Sequence, residues 1–262
     1  MLREMGSSTV ATKVAVLMTC HNRVNKTLAC LDHLFGQVCP EPFKISVYLV
    51  DDGSTDGTGI AVKDKYPEIN VIYGDGNLFW NRGMHRAFGE ALKTGFDYYL
   101  WLNDDTLLFP GALILLFETH RGLVERGKAA SIIIASTQDP VTGEFTYGGY
   151  SGTVRFINPL QLKLRKPGTE AIRCDTMCGN CVLIPKQVTD IIGNIDPAYM
   201  HRWGDVDYGL RARSARCEIW IAPGYLADCE GNPNADRHRD HALPFTQRLA
   251  ELHSLKGLGK RD

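Results

Sequence analysis

Continuous apolar runs that stop abruptly in polar turns, each followed by an amphipathic stretch, leave this chain few architectures. Val14–Met18, Ile45–Val50, Val71–Tyr73, Tyr98–Leu102 and Ser131–Ala135 are such runs, rich in β-branched and aromatic residues. Apolar residues at successive positions fit strands covered on both faces, not half-exposed ones. Between them the period changes to that of a helix. Asn22 or Asn25 is placed to cap a helix whose face carries Leu28, Leu31 and Phe35. Thr55 or Asp56 is expected to start a short helix that ends near Tyr66-Pro67. Over about Asn81–Thr94, residues Met84, Ala87, Phe88, Ala91 and Leu92 recur at the spacing of one helical face. Pro110 is expected in the first turn of a helix carrying Leu113, Leu116 and Phe117. This β-α-β rhythm predicts an α/β fold, an open sheet with right-handed crossovers. Ligands of such sheets sit beyond the carboxyl ends of the strands.

The second half is less regular. Residues of about 138–175 carry Gly, Pro and Thr and suggest a hairpin near Thr142-Gly143. A strand over Val182–Ile184, helices over Pro185–Ile192 and Gly204–Ala215 and a strand over Glu218–Ala222 follow. No linker interrupts the chain. One domain over residues 14–262 is therefore expected, after a polar lead-in at 1–13. Its halves would be about 14–125 and about 126–262. With 44% hydrophobic residues the chain can bury a sizeable core without staples. Its 29 basic and 30 acidic residues nearly cancel, which argues against a general nucleic-acid partner. No apolar run approaches bilayer-spanning length, and Met1–Lys13 lacks the apolar centre of a signal peptide. A cytoplasmic setting with reduced thiols is expected, with at most peripheral membrane association.

Two acid pairs end two of the strands. Asp51-Asp52 opens the loop Asp51-Asp52-Gly53-Ser54-Thr55-Asp56-Gly57, and Asp104-Asp105 follows Asn103 about fifty residues later. Both should face one crevice. The first pair fits hydrogen bonding to a ribose or base, although Asp, Gly and Ser are also ordinary turn residues. The second offers hard oxygen ligands for Mn2+ or Mg2+ beside substrate phosphates. The apolar residues on either side, Trp101-Leu102 and Leu107-Leu108-Phe109, make a simple solvated loop a poor account of it. A third acid, Asp205, stands in Gly204-Asp205-Val206-Asp207 at the expected start of a helix, as a cap or as a general base. The helix N-terminus should then hold its proton affinity modest. There is no G-x-G-x-x-G and no P-loop. Cys178 and Cys181 form a C-x-x-C, but no second pair accompanies them, so packing is the better reading than zinc. His238 and His241 sit in a polar tail where solvated histidine is the default.

In order, the chain carries a strand then Thr19-Cys20-His21-Asn22-Arg23, a strand then Asp51-Asp52-Gly53-Ser54-Thr55-Asp56, a strand then Asn103-Asp104-Asp105, and Gly204-Asp205-Val206-Asp207. Over about residues 14–225 this resembles the family 2 glycosyltransferases of the GT-A fold. That fold is a Rossmann-like, mostly parallel sheet flanked by helices, with an acceptor-binding second half. The stretch Gly76–Met84 is similar to a bacterial surface-polysaccharide subgroup with rhamnosyltransferase-like members. The resemblance implies that Asn22, Arg23 and Asp52 hold the base and ribose and that Asp51 supports their loop. It implies that Gly76, Asn81 and Arg82 lie along the nucleotide and phosphate path, and that Gly179-Asn180 lines the sugar and acceptor pocket. Asp105 would bind the metal, with Asn103, His238 and His241 as further candidate ligands and Asp104 available for donor binding. Asp205 would be the catalytic base. Two positions depart from the family pattern: Asn103 stands for the first acid of its D-x-D, and Gly204 for the Glu of its E-D pair.

The implied activity is inverting, metal-dependent transfer of a sugar from a nucleotide-diphospho-sugar to a hydroxyl of a saccharide or lipid-linked glycan. UDP-sugars and dTDP-rhamnose are the donors considered. Other polysaccharide-assembly enzymes are expected neighbours at the inner face of the membrane. A nucleotidyltransferase and a non-catalytic sugar-nucleotide or glycan-binding domain of a larger synthase are the alternatives.

Overall fold

The computed structural model describes residues 11–38, 43–155 and 158–232. His238, His241 and most of the lead-in expected over 1–13 lie outside them. The chain runs β1 (Thr12–Cys20), α1 (Val24–Phe35), β2 (Phe43–Asp51), α2 (Thr58–Lys65), β3 (Asn70–Tyr73), α3 (Phe79–Thr94) and β4 (Tyr98–Leu102). It continues through β5 (Leu107–Leu108), α4 (Ala112–Val124), β6 (Ser131–Gln138), β7 (Gly149–Arg155), β8 (Asn158–Arg165), β9 (Ile172–Arg173) and β10 (Thr176–Met177). The last described elements are β11 (Cys181–Pro185), α5 (Lys186–Ile192), α6 (Gly204–Ser214) and β12 (Glu218–Asp228).

One sheet joins both halves of the chain in the order β3-β2-β1-β4-β11-β6-β12-β5, with β9 also pairing β12. β3, β2, β1 and β4 are parallel neighbours. β11 is antiparallel to both β4 and β6, so β6 again runs with β4, and β12 is parallel to β6. The sheet is therefore mostly parallel. After β1 the chain moves outward to β2 and β3, then returns to place β4 on the other side of β1. That reversal opens the crevice expected at strand carboxyl ends. A smaller antiparallel sheet, β10-β7-β8, stands apart.

Alternation along β1 sorts the core into two layers. Val14, Val16, Met18 and Cys20 pack with Leu31 and Leu34 of α1, Val62 of α2 and Leu113 and Leu116 of α4. Ala15 and Leu17 point the other way, to Met84, Ala87 and Phe88 of α3, Val188 of α5 and Tyr208 and Ala212 of α6. Burial of each large side chain contributes roughly 1.5–3 kcal/mol, and both faces of β1 are covered. Cys181 packs in the first layer and Cys174 in the second, and both thiols are free. Among the described residues no helix is long and apolar enough to cross a membrane.

Several local expectations need correction. α1 buries Leu34, whereas Phe35 turns outward and stacks on Tyr66 with ring centroids 4.8 Å apart. Neither Asn22 nor Asn25 caps α1. The N–H of Val24 instead donates to Asp56 Oδ2 at 3.1 Å, across from the next loop. The same carboxylate accepts from the N–H of Thr58 at 3.0 Å, so Asp56 serves the first turns of α1 and α2 together. Pro110 lies outside α4, which begins after Gly111. α3 begins at Phe79, two residues before the expected start. Its start is set by Asp52, which accepts hydrogen bonds from the N–H groups of Leu78 and Phe79, both at 3.0 Å.

Candidate active site

Strand direction brings five chain segments to one edge of the sheet. Asn22-Arg23 follows β1, Asp51-Asp52 closes β2, Asn103-Asp104-Asp105 follows β4 and Cys229 follows β12. Because β11 runs the opposite way, its entry segment Gly179-Asn180 reaches the same edge.

The β1 and β2 loops are clamped to each other. Asn22 has a left-handed backbone (φ 52°), and its Oδ1 accepts from the N–H of Thr55 at 2.7 Å. Its own N–H donates to Ser54 Oγ at 2.9 Å. Asp51 is buried and accepts from the N–H of Ser54 at 3.1 Å. Asp52 is 4% exposed and also accepts from the N–H of Gly76 at 2.9 Å. With three backbone N–H groups on its two oxygens, Asp52 shapes the 74–79 loop.

The second acid pair holds a cation from this chain. Arg23 Nη1 lies 2.7 Å from Asp105 Oδ2 and 3.2 Å from Asp104 Oδ1. The guanidinium thus turns toward the β4 acids, away from the first loop's acids. Asp104 is 5% exposed, with the Thr27 hydroxyl donating to it at 3.4 Å. Burial, and next the neighbouring charge of Asp105, push the Asp104 carboxyl up to about 7, against the pull of Arg23. Asp105 is more open, and the Cys229 thiol lies 3.7 Å from its Oδ1. Burial lifts that thiol to about 12, so it is a neutral neighbour.

Asn103 contributes differently from a carboxylate. Its Oδ1 accepts a 2.7 Å hydrogen bond from Trp80 Nε1. An oxygen so engaged is a poor candidate for a metal. Among the described residues, no group of three or more His, Cys, Asp or Glu is placed to hold a metal ion. The set does fit a divalent cation that takes one or two carboxylates and completes its shell with substrate phosphate and water, as Mg2+ commonly does. Asp105 is the accessible carboxylate for that purpose.

Asp205 occupies the first turn of α6. Its Oδ2 accepts from the N–H of Gly179 at 2.9 Å and its Oδ1 from the N–H of Val206 at 2.8 Å. Burial raises its proton affinity from the ordinary carboxylate value, and those two N–H groups only partly offset this. Against the expectation that the helix terminus would keep the affinity modest, desolvation outweighs the backbone N–H groups that face the carboxylate. One residue beyond Gly179, the carbonyl of Asn180 accepts from the N–H of Asn103 at 2.9 Å. The Asn180 amide itself is buried beside Cys229 Sγ, at 3.5 Å. The 179–180 segment therefore ties Asp205 to the acids after β4.

Asn81 does not line a phosphate path. Because α3 starts at Phe79, Asn81 falls on its inward face with Met84 and Phe88 and is fully buried. Its Nδ2 donates to the carbonyls of Asp196 and Tyr199, each at 2.7 Å. Arg82 Nε donates to the carbonyl of Pro197 at 3.1 Å. Both residues pin the segment that leads into α6. Asn81 Oδ1 sits where a Cβ on Gly204 would fall, which explains why the acid of the E-D pair is missing there. Sequence reasoning assigned no role to Trp80, Cys229 or Thr27. Trp80 and its partner Asn103 are 23 positions apart, and nothing in either local sequence announces the contact.

The model of the family described as Glycosyl transferase family 2 matches residues 15–182, which is 168 of the 262 residues. The N-acetylglucosaminyl-diphospho-decaprenol L-rhamnosyltransferases of two Mycobacterium tuberculosis strains, CDC 1551 / Oshkosh and ATCC 25618 / H37Rv, are each 25% identical to this chain over 197 residues. The match takes in 65% of this chain and spans 62% of the length of those relatives. The fold is similar to that of the mannosyltransferase PcManGT from Pyrobaculum calidifontis, solved with GDP-Man and Mn2+. There the TM-score is 0.57 at 17% identity, covering 93% of this chain and 62% of that one. It is also similar to GalNAc-T7 solved with UDP, GalNAc and Mn2+, with TM-score 0.62 at 13% identity over 86% of this chain and 44% of that one. The architecture is thus of the GT-A type.

Proposed function

This chain belongs to glycosyl transferase family 2, and we propose that it moves a sugar from a nucleotide-diphospho-sugar to a hydroxyl of a lipid-linked glycan, with inversion. The observation that carries this reading is the union of the acids after β4 with Asp205 through the 179–180 segment. A carboxylate pair suited to the cation that accompanies a diphosphate is thereby linked to a separate carboxylate of raised proton affinity. The mycobacterial relatives are named for rhamnosyl transfer to a diphospho-decaprenol glycan. dTDP-rhamnose is accordingly the first donor to test, with UDP-sugars next.

In this mechanism the nucleotide lies along the clamped Asn22, Asp51-Asp52 and Gly76 loops. The diphosphate faces Arg23 and Asp105. A divalent cation, Mn2+ or Mg2+, held by Asp105 would supply charge neutralisation for the leaving diphosphate. Asp205 takes the proton of the acceptor hydroxyl as that oxygen bonds to the anomeric carbon. The bond from that carbon to the diphosphate oxygen breaks at the same time, and configuration inverts. A polyprenyl acceptor would place the enzyme at the cytoplasmic face of a membrane, in peripheral contact and beside other polysaccharide-assembly enzymes.

Thermal unfolding with a panel of sugar nucleotides, each with and without Mn2+, tests donor binding. A donor at one hundred times its dissociation constant stabilises by about 2.7 kcal/mol. Asp205→Asn should retain that shift while turnover falls by orders of magnitude. Near-normal turnover would remove Asp205 as the base. Product anomers read by NMR should be inverted, and retention would sink the displacement.

A further inference from the structure

We infer that Asn103 binds a non-bridging oxygen of the donor's diphosphate through its amide N–H2 group, and that Trp80 is the positioning residue that fixes the amide in that sense. The inference rests on the sugar-nucleotide reading above.

An indole Nε1 can only donate. The atom of Asn103 that lies 2.7 Å from it must therefore be the carbonyl oxygen. The amide nitrogen is left on the other side, and among the described residues it has no partner. Asn103 is partly exposed and its amide nitrogen is not among the buried polar atoms without a partner, so that group is open to solvent. Neither partner of this contact is free to turn. The benzo edge of Trp80 lies against Gly179, where a Cβ would come within 2.5–2.6 Å of it, and its ring meets Trp101 edge-on at 6.0 Å. The backbone of Asn103 is held at both its N–H, by Asn180, and its carbonyl, by Thr106 at 3.1 Å.

This matters only for some ligands. A sugar hydroxyl can donate or accept, so it would pair with either end of an amide. A phosphate oxygen can only accept, and it needs the N–H2 end. Asn103 stands two positions from Asp105 and, through Trp80 and Gly179, next to Asp205. A group running from the one acid to the other passes it. At that point a carboxylate would meet the diphosphate as a like charge, whereas the amide meets it as a charge-assisted donor.

Calorimetric titration of UDP, dTDP, UMP and dTMP tests this, with and without Mn2+, on the wild type, Asn103→Asp and Trp80→Phe. Asn103→Asp preserves an acceptor for Trp80 and replaces the outward donor with a charged acceptor. It should weaken both diphosphates roughly ten- to hundredfold and both monophosphates less than twofold. Trp80→Phe should give a smaller loss with the same restriction to diphosphates. Equal or tighter diphosphate binding by Asn103→Asp would overturn the inference, and tighter binding confined to Mn2+ would assign the side chain to the metal instead. Equal losses for mono- and diphosphates would also overturn it, as damage to the pocket. If the wild type binds neither UDP nor dTDP, the sugar-nucleotide reading itself falls and the inference with it. Wild-type binding with an unaffected Asn103→Asp sinks the inference alone.

Discussion

Gly204→Ala tests how the base is held. A methyl on Gly204 would fall on Asn81 Oδ1, a buried oxygen with no partner among the described residues, with Ile195 Cδ1 3.2 Å away on another side. Asn81 cannot yield without endangering its two 2.7 Å bonds to the Asp196 and Tyr199 carbonyls. Overpacking costs about 1–3 kcal/mol. The two hydrogen bonds place a further 0.5–1.5 kcal/mol each at risk, for a total of about 2–6 kcal/mol. At about 2–4 °C per kcal/mol for a chain of this size, Tm should fall by roughly 4–24 °C. Urea unfolding of Gly204→Ala, Asn81→Ala and the double variant closes the cycle. Asn81→Ala removes the obstruction, so the double variant should be more stable than the sum of the two losses by at least about 1 kcal/mol. Gly122→Ala on α4, where a Cβ meets nothing within 4 Å, is the control and should be neutral or mildly stabilising. Additivity within about 0.5 kcal/mol, or an unchanged Tm for Gly204→Ala, would refute the argument.

Turnover should rise with pH as Asp205 loses its proton. Burial lifts its carboxyl, so the acid limb should have its midpoint above the ordinary carboxylate value of about 4, and a limb at or below that value counts against Asp205. Asp104 carries a carboxyl raised to about 7 by burial, so its ionisation weakens the fold as pH rises toward and through that value. Arg23 opposes this, so the stability lost in Arg23→Gln should be larger at pH 8.5 than at pH 5.5; equal losses at both would contradict the pairing. Asp52→Ala removes the acceptor of three backbone N–H groups, and amide exchange at Gly76, Leu78 and Phe79 should accelerate by orders of magnitude. Unchanged protection there would mean the loop is held by something else.

Much of the fold could be read from the chain because β1, β2 and β4 are buried on both faces and so are apolar at nearly every position. The same logic put Asp51, Asp52, Asp104 and Asp105 at one edge. What could not be read is which atoms those acids spend their hydrogen bonds on. Asp56 caps α1 from another loop, and Asp52 sets the start of α3 from 26 residues away. Long-range caps of this kind started α3 two residues early, so Asn81 lies within the helix on the buried face of Met84 and Phe88. The order of β11, β6 and β12 was equally hidden, since no local pattern tells a strand which neighbour it will join.

The antiparallel strand at the sheet's centre also governs how the chain can be made. β4 offers its second edge to β11, and from Leu102 to Cys181 there are 79 residues. At roughly 5–20 residues per second, a ribosome leaves that edge unpaired for about 4–16 s. During that interval Tyr99, Leu100, Trp101 and Leu102 form an apolar strand without its partner, the kind of segment on which nascent chains associate. Each chain emerging from the ribosome thus passes through a stage with this edge open, which ends when Cys181–Pro185 slips between β4 and β6. Residues 14–125 made alone should never leave it, and should collect in the insoluble fraction.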